Sequence, residues 1–428
     1  EKAYVPIFKY KAGGVEISKI ICMEYGKNTV VVYYKIKTGT AKAKLTLAPV
    51  VNFRDFHTMN TDHNFDLKQE IKDNKVKMII DNNAQTPIYM HLSEGKYIEH
   101  NNDIFKNMFY IEEEKRGFYP EENHSVPGVY EVEIPARQEK EISFICSLEN
   151  NIEDIDSKKV ISSEIERLEK LFNNSLLIDI RNEKKTKEEL ENEKLIKTYL
   201  LAGDNFIVNR PSFNLHTIIA GYPWFLDWGR DSLIAFEGLL LIPRRFEIAK
   251  EVLLTMVRDT KFGLVPNGYS GYDNRPLYNS SDASLLLFEQ VQKYIDYTGD
   301  YKFVKEYLYD VLENIIDSYC GKIDVDENNI YLDGDGLISS GTENTQNTWM
   351  DVKYDGKAIT PRNGKTVELN AMWYNANMIM MDLTRKMGHF IKANKYKELA
   401  ENCKFSFNLK FYNEETNCLY DVIRRWKD

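Results

Sequence analysis

The sequence predicts an antiparallel β-sandwich followed by a larger helical domain. With 428 residues the chain is longer than one small domain, and its 43% hydrophobic and 12% aromatic residues can fill large cores. Short strands and turns occupy the first part, whereas long helices occupy the last part. A highly charged stretch lies between them. We therefore predict a β domain over residues 1–150, a helical linker over 151–195 and a helical domain over 196–428.

The first 150 residues carry strand-length runs separated by turn residues. Residues 15–39 contain two runs rich in Val, Ile and Tyr, joined by a turn at residues 25–28. Further strands are expected over residues 43–53, 75–82, 88–93, 128–136 and 140–148. No helical pattern interrupts them. The chain opens on a strand-like segment without an initiator Met, so we expect its start to be cut.

Helical patterns dominate after residue 150. In the linker we expect one helix over 158–174 and another beginning near 184. In the helical domain, apolar periodicity predicts helices over 194–208, 232–242, 244–259, 281–298, 303–320, 367–387 and 394–412. Gly299 is a favoured C-cap residue for the helix that ends at 298. The long loops between these helices carry the unusual residues.

The first such loop, GYPWFLDWGRD over residues 221–231, combines two tryptophans, two carboxylates and an arginine just before a helix. A flat aromatic ring can stack on the apolar face of a sugar, and carboxylates and a guanidinium can each hold neighbouring hydroxyls. The alternative is a rigid turn with ordinary tryptophan packing.

Two further loops have a similar composition. Residues 261–282 end in YNSSD, with an N-cap predicted near Ser280, so Asp282 either favours the helix dipole or enters a site. Residues 333–351 open on DGDG, which resembles a calcium loop but lacks EF-hand spacing, and end on TWMD. An apolar ring beside a carboxyl favours the protonated form that a general acid needs. After Arg362, Glu368 and Trp373 cluster again at a helix mouth, so we predict one pocket at one end of a helical barrel.

Charge and cysteine content exclude several classes of protein. A net charge of −10 is unsuited to a nucleic-acid partner. The five cysteines are odd in number and scattered, which favours a reduced, cytoplasmic protein without structural zinc, and no apolar run is long enough to span a membrane. P-loop, GxGxxG, HExxH and GxSxG motifs are absent, and the seven histidines lack metal-ligand spacing. We predict neither a metal ion nor a cofactor.

Several long motifs resemble the bacterial and archaeal glycogen debranching enzymes, which are amylo-α-1,6-glucosidases. They are GYPWFLDWGRDSLIAFEGLLL, PNGYSGYDNRPLYNSSDASL, YTGD and TWMDVKYDGKAITPRNGKTVELNAMWYNA. The segments FRDFHTMN and RGFYPEENHSVPGVYEVEIPA are similar, more loosely, to the amino-terminal domain of that family. The resemblance implies a β-sandwich-like domain followed by an (α/α)6 barrel, incomplete at its C-terminus, with the active site in the barrel loops.

The resemblance also implies a reaction and a set of residues. The reaction is inverting hydrolysis that removes α-1,6-linked glucose from glycogen, limit dextrin or branched malto-oligosaccharides. Asp351 of TWMD would be the general acid, and Trp228, Arg230 and Asp231 of WGRD would bind the non-reducing glucose. The further pocket candidates are Trp224, Asp227, Asn279, Asp282, Trp349, Arg362, Glu368 and Trp373.

An inverting enzyme needs a second carboxylate, roughly 6.5–9.5 Å from the first, to activate water. In the family this base comes from near the C-terminal end of the barrel, and we count roughly seven or eight of twelve barrel helices here. We therefore expect the base beyond residue 428, with Glu368 and Asp227 as internal alternatives. Other possibilities are a glucoamylase-like or trehalase-like glucosidase, or a fragment that binds glucan without turnover.

Overall fold

The computed structural model describes residues 4–55, 57–62, 65–81, 83, 85–178, 184–222, 225–270 and 273–424. The chain divides into two units, Glu1–Leu171 and Phe172–Asp428. Among the described residues, no helix combines the length and the apolar character that crossing a membrane requires.

The first unit contains two antiparallel sheets. One has seven strands in the order β1-β2-β3-β10-β7-β6-β5, and the other has three in the order β4-β9-β8. The strands are β1 Ile7–Ala12, β2 Val15–Met23, β3 Thr29–Lys37, β4 Ala43–Leu47, β5 Leu67–Lys72, β6 Lys75–Ile80, β7 Ile88–Leu92, β8 Lys96–Phe109, β9 Glu121–Ile134 and β10 Glu139–Ser147. The predicted antiparallel strands are thus confirmed.

Residues from both sheets share one hydrophobic core. On β6, burial alternates so that Val76 and Met78 point inward, as the two-residue period of a half-buried strand requires. Tyr130 and Val132 of β9 belong to the same core cluster, together with Leu92 of β7. The two sheets therefore form a sandwich around this cluster.

One feature of this unit differs from the sequence prediction. A short helix, α1 (Ile111–Lys115), interrupts the strands, and its acidic first turn suits a helix start. The boundary between the two units falls after residue 171, within the predicted linker 151–195. The reason is that Ile155, Val160 and Ile161 pack on a second small core that includes Val31.

The second unit is built mainly from helices. These are the end of α2 (Ser157–Asn174), then α3 Lys187–Asp204, α4 Gly229–Phe236, α5 Phe246–Arg258, α6 Ala283–Thr298, α7 Tyr301–Phe303, α8 Tyr309–Cys320, α9 Val367–Lys386 and α10 Phe390–Lys410. Turns of π-helix continue α4 over Glu237–Leu241 and join α7 to α8 over Val304–Leu308, and Val325–Glu327 form a 3-10 turn.

Short strands lie in the loops between these helices. They are β11 Ile207–Arg210, β12 Leu215–Gly221, β13 Phe225–Asp227, β14 Gly268–Tyr269, β15 Pro276–Leu277, β16 Lys322–Ile323, β17 Ile330–Leu332, β18 Ile338–Ser339, β19 Lys353–Tyr354, β20 Lys357–Ala358, β21 Lys365–Thr366, β22 Tyr412–Asn413, β23 Cys418–Leu419 and β24 Val422–Ile423. The helix predicted over 194–208 therefore ends earlier, at Asp204, because the chain enters β11. Gly299 caps α6 in the left-handed conformation, with φ 70°, as predicted.

Three helices form a row of neighbours. Helix α4 contacts α6, and α6 contacts α9, whereas α5 packs on α6, and α8 and α10 pack on α9. Most of α6 is buried because it has neighbours on several sides. A long loop precedes each helix of the row, over residues 205–228, 259–282 and 321–366. The row therefore gathers three long loops at the amino ends of its helices.

Helix α3 begins with a capping box. Thr186 accepts a hydrogen bond from the backbone N–H of Glu189, whose side chain accepts one from the Thr186 N–H. Thr186→Ala removes the first bond, so we expect the free energy of unfolding of the second unit to fall by about 1 kcal/mol in urea titrations. Thr198→Ala, in the middle of the same helix, is the control and should not destabilise. Equal stability of Thr186→Ala and the wild type would contradict the cap assignment.

Candidate active site

Arg230, in the first turn of α4, contacts one residue of the second loop and one of the third. Its Nε lies 2.8 Å from Asp282 Oδ2 and its Nη2 3.0 Å from Asp282 Oδ1, so the pair is bidentate. Its Nη1 lies 2.8 Å from Asp351 Oδ2. Arg230 and Asp282 are buried, at 7% and 3% exposure. Burial acts to lower the pKa of Arg230, but its hydrogen bonds to the two carboxylates raise it overall.

Gly229 allows α4 to start where it does. A Cβ at this position would lie 2.3 Å from the carbonyl oxygen of Pro266, so only glycine fits. The Gly229 N–H donates to the Asn267 carbonyl at 2.8 Å, and Trp228 forms an isolated antiparallel β-bridge with Gly268. These contacts fix the first loop against the second and so place the Arg230 side chain.

Asp282 occupies the N-cap position of α6, but its side chain makes no capping bond. Ser280 takes part of that role, because its Oγ accepts from the Ala283 N–H at 3.2 Å. The same hydroxyl lies 2.5 Å from Asp282 Oδ1 and donates to it. The carboxylate of Asp282 is thus directed to Arg230 and not to its own helix.

Asp351 lies at the edge of this cluster, and its side chain is 36% exposed. The sequence predicted that Trp349 would desolvate it, but Trp349 is itself 57% exposed. The charged neighbour that the structure gives Asp351 is Arg230. The aromatic ring of Trp349, two residues before Asp351, is instead exposed to solvent.

Asp231 follows Arg230 and is the carboxyl of this group with a raised pKa. Desolvation is the largest cause, and the charges of Asp351 and Asp282 act in the same direction, whereas Arg230 opposes them. The residue as a whole is exposed, but its carboxyl lies close enough to protein atoms to be partly desolvated. Such a carboxyl can still form hydrogen bonds with ligand hydroxyls.

The raised pKa of Asp231 predicts a pH-dependent gain in stability for Asp231→Asn. A carboxyl whose pKa is higher in the folded state costs stability as pH rises from its unfolded value, about 3.9, through the folded value. Thermal unfolding should therefore show Asp231→Asn to be more stable than the wild type at pH 7, with the difference disappearing near pH 3.5. Asp382→Asn, an exposed position on α9, serves as the control. A gain that does not depend on pH would contradict the assignment.

A second cluster surrounds Arg362 in the third loop. Its guanidinium is buried and forms a bidentate pair with Glu368, with Nη2 to Oε2 at 2.8 Å. Asp421 forms another pair, with distances of 3.0 and 2.5 Å, and Thr348 accepts from Nη1 at 3.3 Å. Asp421 was not among the residues that the sequence predicted. It comes from a fourth segment of the chain. Strand β24, which follows Asp421 directly, pairs with β21 of the third loop.

Two predicted pocket residues lie elsewhere. Asp227 is buried, with Oδ1 3.0 Å from Arg210 and Oδ2 3.1 Å from Thr217, so its carboxylate holds the first loop together. Trp373 has no exposed surface and stacks on Tyr319, with ring centroids 6.1 Å apart. Neither side chain reaches the surface in this structure, and their assignment to a sugar pocket stays a prediction.

The remaining candidates differ in exposure. Trp228 and Asn279 are half-buried, and Asn279 accepts a hydrogen bond of 3.4 Å from Asn267. Trp224 lies outside the described residues.

The carboxylates of the DGDG segment pair with a lysine, since Lys365 lies 2.8 Å from Asp333 and 2.6 Å from Asp335. In the described part of the chain, no three His, Cys, Asp or Glu side chains are grouped to hold a metal ion.

Comparison with known families identifies both parts of the chain. Residues 201–428 match the family described as amylo-alpha-1,6-glucosidase. Residues 1–141 match the family described as the glycogen debranching enzyme N terminal domain. The chain belongs to the glycogen debranching enzyme family. The first of these matches alone spans more than half of the 428 residues.

One curated relative is the glycogen debranching enzyme of Saccharomyces cerevisiae. It is 26% identical over 232 residues, which cover 41% of this chain and 15% of the yeast protein. The chain therefore corresponds to a small part of that relative's length.

Two solved structures share the fold. A human-microbiome protein described as a kojibiose phosphorylase has a TM-score of 0.53 and 11% identity, over 97% of this chain and 56% of that protein. A bacterial glucoamylase, solved in complex with acarbose, has a TM-score of 0.52 and 13% identity, over 98% of this chain and 59% of that protein. This likeness supports the predicted fold, a β domain followed by an (α/α)6-type helical domain.

Proposed function

We propose that the chain is the glucosidase region of a glycogen debranching enzyme. The reaction is inverting hydrolysis of α-1,6-linked glucose at the branch points of glycogen, limit dextrin or branched malto-oligosaccharides. One observation carries this proposal. Arg230, at the start of α4, pairs with Asp282 at the end of the second loop and with Asp351 in the third loop. In sequence, Asp231 is one residue from Arg230, and the exposed Trp349 is two residues from Asp351.

The cluster supplies two kinds of chemistry. Asp351 is the general acid that protonates the leaving glycosidic oxygen, a role that its partial exposure permits. Arg230 and Asp231 bind hydroxyls of the terminal glucose, because a guanidinium fork and a carboxylate each accommodate neighbouring hydroxyl groups. Trp349, exposed beside the acid, and Trp228 provide stacking surfaces for sugar rings.

We assign no residue as the water-activating base. The internal alternatives were Asp227 and Glu368. Asp227 is buried and paired with Arg210, and Glu368 is engaged by Arg362, so both have structural partners that a base would have to leave. In an inverting hydrolase the base is the second carboxylate, which lies on the face of the sugar opposite to the acid.

A comparison of substrates tests the proposed function. Glucose release is measured with phosphorylase-limit dextrin carrying single α-1,6-linked glucose stubs, with maltose and with trehalose. We expect the dextrin to be the preferred substrate by at least about tenfold in kcat/KM, which is 1.4 kcal/mol of differential transition-state binding.

Other outcomes identify other functions. Preference for maltose would indicate a glucoamylase-like hydrolase, which the fold likeness to a glucoamylase makes the second candidate. Preference for trehalose would indicate a trehalase-like one. Saturable glucan binding without glucose release would indicate that this chain binds glucan without turnover, the third possibility given by the sequence.

A further inference from the structure

A groove of the second unit lies beside the Arg362 cluster. Its floor is built from short strands, since β17 pairs with β18, an isolated antiparallel bridge joins Ser340 to Gly364, and β21 pairs with β24. Neighbouring strands lie about 4.8 Å apart, so these four strands extend over about 14 Å. The volume of the groove is about 1030 Å³. This volume is at the upper end of the range for ligand sites, about 300–1,000 Å³.

One row of side chains crosses the floor of the groove. Tyr331 is opposite Ser339 in the β17–β18 pair. Lys365 is opposite Ile423 in the β21–β24 pair. The bridge between the strand segments of β18 and β21 places Ser339 beside Lys365. Because opposite residues of antiparallel strands share a face, these four side chains line the groove together.

The charges in the groove are balanced. The ammonium group of Lys365 is buried, and it lies 2.8 Å from Asp333 and 2.6 Å from Asp335. The ammonium group of Lys410 also pairs with Asp335, at 2.5 Å. In the described part of the chain, the charged side chains that line the groove or pair with its lysines are Lys365, Lys410, Arg424, Asp333, Asp335 and Glu343. Three are positive and three are negative, so the groove suits a neutral ligand better than an anion.

Aromatic and amide side chains complete the lining. Two tyrosines, Tyr331 and Tyr420, line the groove, and Tyr420 is 47% exposed. An aromatic ring can stack on the apolar face of a sugar. The amides of Asn329 and Asn363 also line the groove, and each can both donate and accept hydrogen bonds. The lining therefore suits a ligand made of rings that carry hydroxyl groups.

The Arg362 cluster connects the groove to the segment that carries Asp351. Nη1 of Arg362 donates to Thr348, three residues before Asp351, at 3.3 Å. Nη2 lies 2.5 Å from the carboxylate of Asp421, which directly precedes the groove residue Val422. Three residues of chain span at most about 11 Å. A glucan chain held at Asp351 can therefore enter the groove within a few sugar units.

We propose that the groove binds the α-1,4-linked glucan chain that carries the branch, on the leaving side of the scissile bond. The inference rests on the proposed function, which places the terminal glucose at Arg230 and Asp231 and the leaving oxygen at Asp351. The remainder of such a substrate is a neutral chain of hydroxylated rings. It matches a groove with balanced charge, two tyrosine rings and several amides and hydroxyls.

Calorimetric titration of the full chain with maltohexaose tests the groove without requiring turnover. Maltohexaose is linear and α-1,4-linked, so it represents the chain that carries the branch. All titrations use the Asp351→Asn background, which keeps the ligand intact under each candidate activity. In Tyr420→Ala we expect the Kd for maltohexaose to rise by at least about fivefold, because the exposed ring loses its contact with the sugar. Tyr420→Phe keeps the ring and should retain most of the affinity.

The matched control is Tyr412→Ala. Tyr412, on β22, is 48% exposed, close to the value for Tyr420, and it lies outside the groove. Its replacement should leave the Kd unchanged. Hydrogen exchange of the wild-type chain gives a second measurement, which does not depend on the folding of any variant. Maltohexaose should slow amide exchange in residues 339–343 and 420–424.

A Kd for Tyr420→Ala equal to that of the background chain would overturn the inference, as would amide exchange in these segments that maltohexaose leaves unchanged. Failure of the proposed function is distinguishable, because it is measured as glucose release from dextrin by the wild type. Release of glucose without a contribution from the groove would leave the hydrolase standing and refute the groove. Binding of maltohexaose in the groove without release of glucose would support the groove alone.

Discussion

Asp351→Asn is expected to lower glucose release from phosphorylase-limit dextrin by at least about 100-fold, since a positioned general acid contributes 10²–10⁴-fold to such reactions. The amide keeps the size of the carboxyl and can still accept from Arg230, but it has no proton to give to the leaving oxygen. Binding of the dextrin, measured by calorimetry, should change by only a few-fold. The loss should therefore appear in kcat and not in KM.

Asp324→Asn is the matched control for this variant. Asp324 is a surface residue of the same loop, paired with Lys322, and its replacement should leave both kcat and binding unchanged. Glucose release by Asp351→Asn within a few-fold of the wild type would remove Asp351 from the role of acid.

Arg230→Met is expected to be strongly destabilising. It deletes the guanidinium and leaves the Asp282 carboxylate buried without its partner, a situation that typically costs about 3–5 kcal/mol in free energy of unfolding. Urea denaturation of the second unit measures this loss directly. The variant should also lose affinity for glucan, because the proposed function assigns Arg230 to binding of the sugar hydroxyls.

The double variant Arg230→Met/Asp282→Leu separates charge burial from packing. Replacing both members of a buried ion pair by apolar residues of similar volume is often neutral, so much of the stability should return while glucan affinity stays low. A single Arg230→Met variant as stable as the wild type would show that the pair is not buried in solution as the structure places it.

The helix starts and the loops between them were predictable, but the contacts across the loops were not. Each of Arg230, Asp282 and Asp351 stood out because it closed an unusual loop near a helix. Their meeting depends on the row α4-α6-α9, which brings together residues 52 and 121 positions apart. No local pattern encodes such a contact.

Asp227 and Trp373 were assigned to the pocket from the composition around them, and both are buried. For Trp373 a signal was available. It lies four residues after Leu369 and three before Ala376, both fully buried, so the helical period places it on the inner face of α9. For Asp227 the partner Arg210 lies on β11, whose first two residues were predicted to be the end of a helix over 194–208, so the pairing could not be foreseen.

Asp421 belongs to the Arg362 cluster but was not among the residues that the sequence predicted. The segment around it carries no motif, and its pairing with Arg362 arises because β24 pairs with β21, with Thr366 opposite Val422, 56 residues later in the sequence. Strands of two residues, such as these, are too short for an alternation of apolar and polar residues to reveal them. Residues that act through long-range strand pairing are therefore the ones that sequence reasoning misses in this chain.

The anomeric form of the first glucose released tests the central proposal most directly. Proton NMR spectra, recorded within minutes of mixing the protein with phosphorylase-limit dextrin, distinguish the H1 signals of the two anomers before mutarotation equalises them. Inverting hydrolysis of an α-1,6 bond at the Arg230–Asp351 site predicts β-glucose first. Initial release of α-glucose would contradict the proposed activity.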